Sequence, residues 1–172
     1  MRFWDSSALI AVLDYEERGP GLSRLLEEDP GAVLWMLTPV EVRSGLSRRV
    51  RTGALDGAER ELIRERFDRL RDTFSEVDAV PEVREGAQRL LDLHPLRAGD
   101  ALQLAAAIVG ARGMPEEFPF VTLDRRLAEA ASREGFPVLP PLTGESRLGE
   151  MAPRVATRGR TRRAVAARSA GR

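Results

Sequence analysis

Residues 3–10 read Phe-Trp-Asp-Ser-Ser-Ala-Leu-Ile, an aromatic pair and an acid followed by two serines and apolar residues. The pattern predicts a short strand at residues 2–4 and a helix from residue 6 to about residue 16. Asp5 therefore directly follows the carboxyl end of a strand, at the entry of a helix. This strand–acid–helix unit is the starting point for the fold of the whole chain.

Short apolar strands and amphipathic helices alternate along the rest of the chain. Further strands are predicted at residues 32–37, 74–77, 119–123 and 137–139. Further helices are predicted at residues 38–50, 56–73, 81–93, 100–111 and 125–133, with a shorter one after a break at residues 19–21. This alternation predicts an α/β fold, a three-layer sandwich with a central, mostly parallel sheet.

The composition excludes several classes of chemistry. The chain has no Cys, so thiol nucleophiles, disulfides and cysteine-based zinc sites are excluded. Every basic residue is Arg, which excludes a P-loop lysine and Schiff-base chemistry. The single His, His94, precedes a proline at a predicted helix end, where it is predicted to be a solvated cap. Carboxylate, hydroxyl and guanidinium groups remain for catalysis.

Charge is divided unevenly along the 172 residues. Seven Arg and no acid follow Glu150, whereas the preceding segment carries 20 Arg against 27 acids, a formal charge of −7. The basic tail has no apolar periodicity and is predicted to be disordered. Two interpretations of it remain open: a nonspecific RNA-binding arm and a dispensable extension.

Four acids share one local context, a predicted helix entry. The other three are Glu41 in Thr-Pro-Val-Glu-Val-Arg-Ser-Gly-Leu, Asp100 in Leu-Arg-Ala-Gly-Asp-Ala-Leu-Gln-Leu-Ala-Ala-Ala, and Asp124 in Phe-Val-Thr-Leu-Asp-Arg-Arg-Leu-Ala. Asp5 and Asp124 follow strands at their carboxyl ends, where ligands bind in an open parallel sheet. The joint pattern indicates an oxygen-rich pocket for a hard divalent cation, and so phosphodiester chemistry.

Each acid also has a purely structural interpretation. Asp5 suits a helix N-cap, and Glu41 suits a capping box with Thr38. Asp100 and Asp124 suit helix starts, where the macrodipole favours negative charge. Carboxylates brought together without a cation would repel and take up protons, a conflict that Mg²⁺ or Mn²⁺ removes.

The segments around these acids resemble the PIN-domain family of metal-dependent ribonucleases, in particular the VapC toxins of bacterial toxin–antitoxin pairs. Residues 5–10, 41–46, 98–105 and 121–124 are similar to the four motifs of the family in order. The resemblance covers about residues 1–140. We therefore expect a PIN-like nuclease domain at residues 1–145 and a basic tail at residues 146–172.

The resemblance implies that the four acids bind the metal and are catalytic, with Ser6 and Thr122 as supporting hydroxyls. It implies a Mg²⁺- or Mn²⁺-dependent endoribonuclease that leaves a 5′-phosphate and a 3′-hydroxyl. It further implies a homodimer and a small antitoxin that blocks the cleft. Two alternatives stay open: a PIN-fold nuclease in RNA processing, and a noncatalytic PIN-fold interaction protein.

An acidic cleft needs cations elsewhere to hold RNA. Arg43, Arg48 and Arg49 lie on the predicted helix that carries Glu41, and we expect part of this cluster to contact phosphate. The alternative is a solvated helix face. The sequence contains no apolar run long enough to cross a bilayer and no signal-peptide pattern, so a cytoplasmic location without membrane contact is expected.

Overall fold

A five-stranded parallel sheet organises the molecule. The structure, a computed structural model, describes residues 1–14, 19–29 and 31–141. The strands are β1 (Phe3–Trp4), β2 (Val33–Trp35), β3 (Ser75–Val77), β4 (Phe120–Val121) and β5 (Val138–Leu139). They lie in the order β3-β2-β1-β4-β5, and every described pairing is parallel. The predicted α/β fold is thereby confirmed.

Helices connect these strands. They are α1 (Ser6–Leu13), α2 (Gly19–Glu27), α3 (Thr38–Arg51), α4 (Gly57–Arg71), α5 (Val80–Leu93), α6 (Ala98–Ala111) and α7 (Arg125–Arg133). A short 3-10 turn at Pro115–Glu117, which was not predicted, precedes β4. Among the described residues, no helix combines the length and the apolar character needed to span a membrane.

The side chains of the strands alternate between two hydrophobic layers. Phe3, Trp35 and Phe120 pack with α5, α6 and α7 on one face of the sheet. Trp4 and Val121 pack with α1, α2, α3 and α4 on the other face. Because successive side chains of a strand point to opposite faces, short apolar strands fill both layers. Trp4 and Trp35 are therefore core residues.

Three local predictions are wrong. Leu37 occupies the N-cap position of α3, so Thr38 is its first helical residue and forms no capping box with Glu41. The helix α2 begins at Gly19, because proline is tolerated in a first turn, where backbone N–H groups have no partner within the helix. His94 does lie at the C-cap of α5, but it is buried and not solvated.

The buried position of His94 has a partner on another helix. His94 Nε2 lies 2.8 Å from Glu134 Oε1, and Arg89 donates a hydrogen bond to the same carboxylate over 2.7 Å. The contact joins the end of α5 to the end of α7. Two predicted regions, the end of the first helix at residues 15–16 and the basic tail at residues 146–172, lie outside the described residues.

Candidate active site

Asp5 lies directly after β1, buried at the carboxyl edge of the sheet with 4% of its surface exposed. Its Oδ2 accepts hydrogen bonds from Ser7 N at 3.1 Å, Ser7 Oγ at 2.5 Å and Thr122 Oγ1 at 2.9 Å. The Ser6 hydroxyl lies 3.4 Å from the other oxygen, Oδ1. The carboxylate is therefore fixed through Oδ2, while Oδ1 is only weakly engaged.

Glu41 lies in the first turn of α3 and is held from a different helix. Gln103 Nε2, on α6, donates to Glu41 Oε2 over 2.5 Å and to Thr38 Oγ1 over 3.2 Å. A Cβ added at Gly99 would lie 3.4 Å from the second oxygen, Oε1. The side chain that would have served a capping box instead points toward the start of α6.

Asp100 occupies the first turn of α6, and its Oδ2 accepts a hydrogen bond from the backbone N–H of Arg97 at 3.1 Å. The helix behind it is buried along most of its length, because small Ala side chains allow close packing. Among the described residues, no hydrogen bond holds Asp100 Oδ1. One oxygen is again anchored while the other is not.

Asp124 follows β4 after two residues and caps α7, with Oδ1 accepting from Leu127 N at 3.0 Å. Thr122 connects it to Asp5, since the Thr122 hydroxyl donates to Asp5 and accepts from the backbone N–H of Asp124 at 3.1 Å. The cap interpretation thus holds for Asp5 and Asp124. Each cap hydrogen bond uses one oxygen of the carboxylate, which does not exclude a second role for the other oxygen.

Electrostatics couple three of the four acids. Burial raises the pKa of Asp5, against the lowering effect of hydrogen bonds from Ser7 and Thr122. Burial also raises the pKa of Glu41; the Gln103 and Ser6 hydrogen bonds lower it, whereas the charges of Asp5 and Asp100 raise it. Asp5 and Asp100 are thus near enough for their charges to act on Glu41, and a cation would relieve that repulsion.

The side chains at this site offer only oxygen donors to a divalent cation. Among the described residues, no three acidic or histidine side chains form a ready metal-binding cage. Mg²⁺ does not need one, because it retains several waters and usually takes only one or two carboxylates. Half-anchored carboxylates with concentrated negative charge and oxygen-only donors fit such an ion.

The three arginines of the predicted RNA-binding cluster have different environments. Arg43 and Arg48 are exposed on α3, and Arg43 lies near enough to Glu61 to influence its pKa. Arg49 forms an ion pair with Asp14, which ties α3 to the end of α1. Arg43 and Arg48 are thus accessible to a ligand, whereas Arg49 supports the packing of two helices.

Two side chains that contact the acids, Ser7 and Gln103, are not among the residues that the resemblance implied. Ser7, rather than Ser6, makes the strong contacts with Asp5, and its hydroxyl also accepts from Leu123 N at 3.0 Å. Gln103 is a buried amide that reaches Glu41. The sequence signal for Gln103 was its place as the polar residue within an otherwise apolar run, one turn after Asp100.

Fold and site together define an α/β protein with an acidic cluster at the carboxyl edge of a parallel sheet. The PIN domain family matches residues 2–133, and the chain belongs to this family. That membership supports a nuclease, and divalent metals are general among PIN-domain nucleases. A comparison with curated proteins finds no match.

Proposed function

We propose that this protein is a metal-dependent endoribonuclease that hydrolyses RNA phosphodiester bonds in the cytoplasm. Asp5, Glu41, Asp100 and Asp124 are its metal-binding and catalytic acids, and Mg²⁺ or Mn²⁺ is its cofactor. The observation that carries the proposal is that Asp5 lies at the carboxyl edge of the sheet beside Thr122, while Glu41 lies against Gly99, the residue before Asp100. A fold of the PIN family supports it.

The chain's own groups divide the work of holding the ion. Asp5 is the direct ligand, because its Oδ2 is fixed by three donors and its Oδ1 is left over. Asp100 and Asp124 are anchored by backbone N–H groups and supply further negative charge. When bound, a divalent cation polarises a phosphate oxygen and lowers the pKa of an attacking water molecule.

Hydroxyl groups keep the principal ligand in place. Ser7 and Thr122 donate to Asp5, and the two hydroxyl oxygens lie 3.3 Å apart. Ser6 lies between Asp5 and Glu41, where its hydroxyl interacts with both carboxylates. Arg43 and Arg48 are the proposed phosphate contacts on α3, because phosphate binding needs exposed cations outside the acidic cluster.

The test is cleavage of total RNA by the purified full chain with Mg²⁺, Mn²⁺ or EDTA. Asp5→Asn keeps a hydrogen-bond acceptor but removes the charge, so we expect at least about a 100-fold loss of cleavage with the fold retained. Asp56→Asn is the matched control: Asp56 also caps a helix, α4, away from the acidic cluster. Wild-type cleavage by the Asp5 variant, or undiminished cleavage in EDTA, contradicts the proposal.

We further propose that the nuclease is the toxin of a toxin–antitoxin pair, acting as a homodimer with a small cognate antitoxin. This rests on the similarity of the four acidic segments to VapC toxins. Induced expression of the chain should arrest bacterial growth, and Asp5→Asn should not. Unimpaired growth with active protein present would instead favour a role in RNA processing.

A further inference from the structure

Gln103 stands out because it is a buried polar side chain on an apolar helix. It is 1% exposed and lies within a run of buried small and aliphatic residues of α6. A buried amide is stabilising only when its polar atoms are paired. Its partners therefore indicate why a polar residue occupies this position.

Those partners are both acceptors on α3. The amide nitrogen of Gln103 donates to Glu41 Oε2 and to Thr38 Oγ1, across 62 and 65 residues of sequence. Because an ionised carboxylate only accepts, the amide must present its NH₂ group to Glu41. Its oxygen is consequently buried with no hydrogen-bond partner among the described residues. The contact with Glu41 thus sets the orientation of the amide and leaves the amide oxygen without a hydrogen bond among the described residues.

Glu41 also differs from the other three acids in how it is anchored. Backbone N–H groups hold Asp5, Asp100 and Asp124. The short hydrogen bond that holds Glu41 comes from a side chain instead, that of Gln103, and it uses Oε2. Oε1 lies beside Gly99, where the missing Cβ leaves room next to the carboxylate.

We propose that Gln103 is a positioning residue for the metal site: it holds Glu41 through Oε2 and so leaves Oε1 for the cation or its water. The inference rests on the proposed function, since it presumes that Glu41 serves a metal. Partners that orient metal-binding carboxylates typically change metal affinity by about 10- to 100-fold when they are removed. Gln103 acts through Glu41 and does not touch the RNA.

The test measures Mn²⁺ binding to the full chain without RNA, by the electron paramagnetic resonance of free Mn²⁺. Gln103→Met fills nearly the same volume without a donor, and we expect about a 10- to 100-fold weaker affinity. Gln103→Asn keeps the amide but withdraws it by one methylene; it should also weaken binding, and it replaces the Met variant if that variant does not fold. Val83→Ala, in the buried face of α5, controls for general loosening of the core and should bind Mn²⁺ as the wild type does.

A double-mutant cycle with Glu41→Gln separates positioning from a structural role. If Gln103 acts through Glu41, Gln103→Met has no further effect on Mn²⁺ affinity once Glu41 is changed. An equal loss in both backgrounds, or unchanged affinity of Gln103→Met and Gln103→Asn, overturns the inference while the metal site stands. If the wild type binds no Mn²⁺ at all, the proposed metal site fails and this inference fails with it.

Discussion

At the residue scale, the position of an acid after a strand could be predicted from the sequence, whereas the side chain that holds Glu41 could not. Asp5 and Asp124 could be placed because each follows an apolar strand. The partner of Glu41 could not, because Gln103 is 62 residues away and only the packing of α6 against α3 brings the two together. The capping-box pattern predicted Thr38 as the partner of Glu41, but the structure shows the long-range hydrogen bond from Gln103 instead.

The raised pKa values of Asp5 and Glu41 predict an unusual pH dependence of stability without metal. An acid whose pKa is raised by folding contributes stability that is present below the ordinary carboxyl range and lost as pH rises through the raised pKa. In EDTA, the unfolding temperature should therefore rise as pH is lowered from neutral toward that range. Glu41→Gln should flatten this dependence.

The measurement is thermal unfolding at several pH values with EDTA and with Mg²⁺. Mg²⁺ should stabilise the wild type more at neutral pH than at acidic pH, since it binds the ionised carboxylates. An identical pH profile for wild type and Glu41→Gln would refute the role of burial at Glu41.

Glu134 acts in the opposite sense. Burial opposes its ionisation, but hydrogen bonds from His94 and Arg89, together with the charges of these residues, lower its pKa. The stability that Glu134 contributes is therefore lost as pH falls.

At the element scale, strand and helix order followed from periodicity, whereas helix starts depended on which residue caps. Asp56 shows a capping box, with Asp56 Oδ1 accepting from Glu59 N and the Glu59 carboxylate accepting from Asp56 N, each at 2.8 Å. The Thr38 segment has the same kind of sequence signal but no such box. Competition from Gln103 explains the difference, because its amide donates hydrogen bonds to both the Thr38 hydroxyl and the Glu41 carboxylate.

Removal of the real cap should cost stability without loss of activity. Asp56→Ala leaves the first turn of α4 without its side-chain acceptor, so we expect a loss of about 1 kcal/mol in the free energy of unfolding. Asp56→Asn retains an acceptor and should be nearly neutral. Chemical denaturation measures both, and RNA cleavage below the unfolding transition should be unchanged; a loss of cleavage with Asp56→Asn would place α4 in the active site.

The exposed face of α3 should contribute to RNA affinity through charge. Reversal of Arg43 and Arg48 to Glu removes two cations and adds two anions, so RNA should bind more weakly and with a shallower dependence on salt. Each lost phosphate contact should lower the slope by about 0.7 for single-stranded RNA. Reversal of Arg84, exposed on α5, is the control. If the RNA affinity of the wild type and of the double variant depends equally on salt, the exposed face of α3 is a solvated face that does not contact RNA.

At the scale of the whole molecule, the sequence predicted the three layers and the parallel sheet because two-sided burial leaves a simple pattern of apolar strands. It did not fix the strand order, which depends on pairings between distant segments such as Phe3 with Phe120. The strand order places β1 beside β4, and so brings Asp5 next to Thr122. The sequence also did not settle the purpose of the basic tail.

Truncation after residue 145 tests the proposed division of the chain. Every described strand and helix ends before that residue, so the truncated protein should unfold at the wild-type temperature. It keeps a formal charge of −7, and we expect weaker RNA binding with a smaller salt dependence because the tail's Arg residues are gone. Filter binding across salt concentrations measures this, and unchanged affinity would make the tail dispensable for RNA.

The most direct test of the central claim is an anomalous difference map from crystals of the full chain soaked in Mn²⁺. We predict one or two Mn²⁺ peaks at the carboxyl edge of the sheet, with Asp5 Oδ1 as a direct ligand and Glu41 and Asp100 bound directly or through water. Mn²⁺ found only away from Asp5, or no peak at this edge in crystals that bind Mn²⁺ elsewhere, would contradict the account.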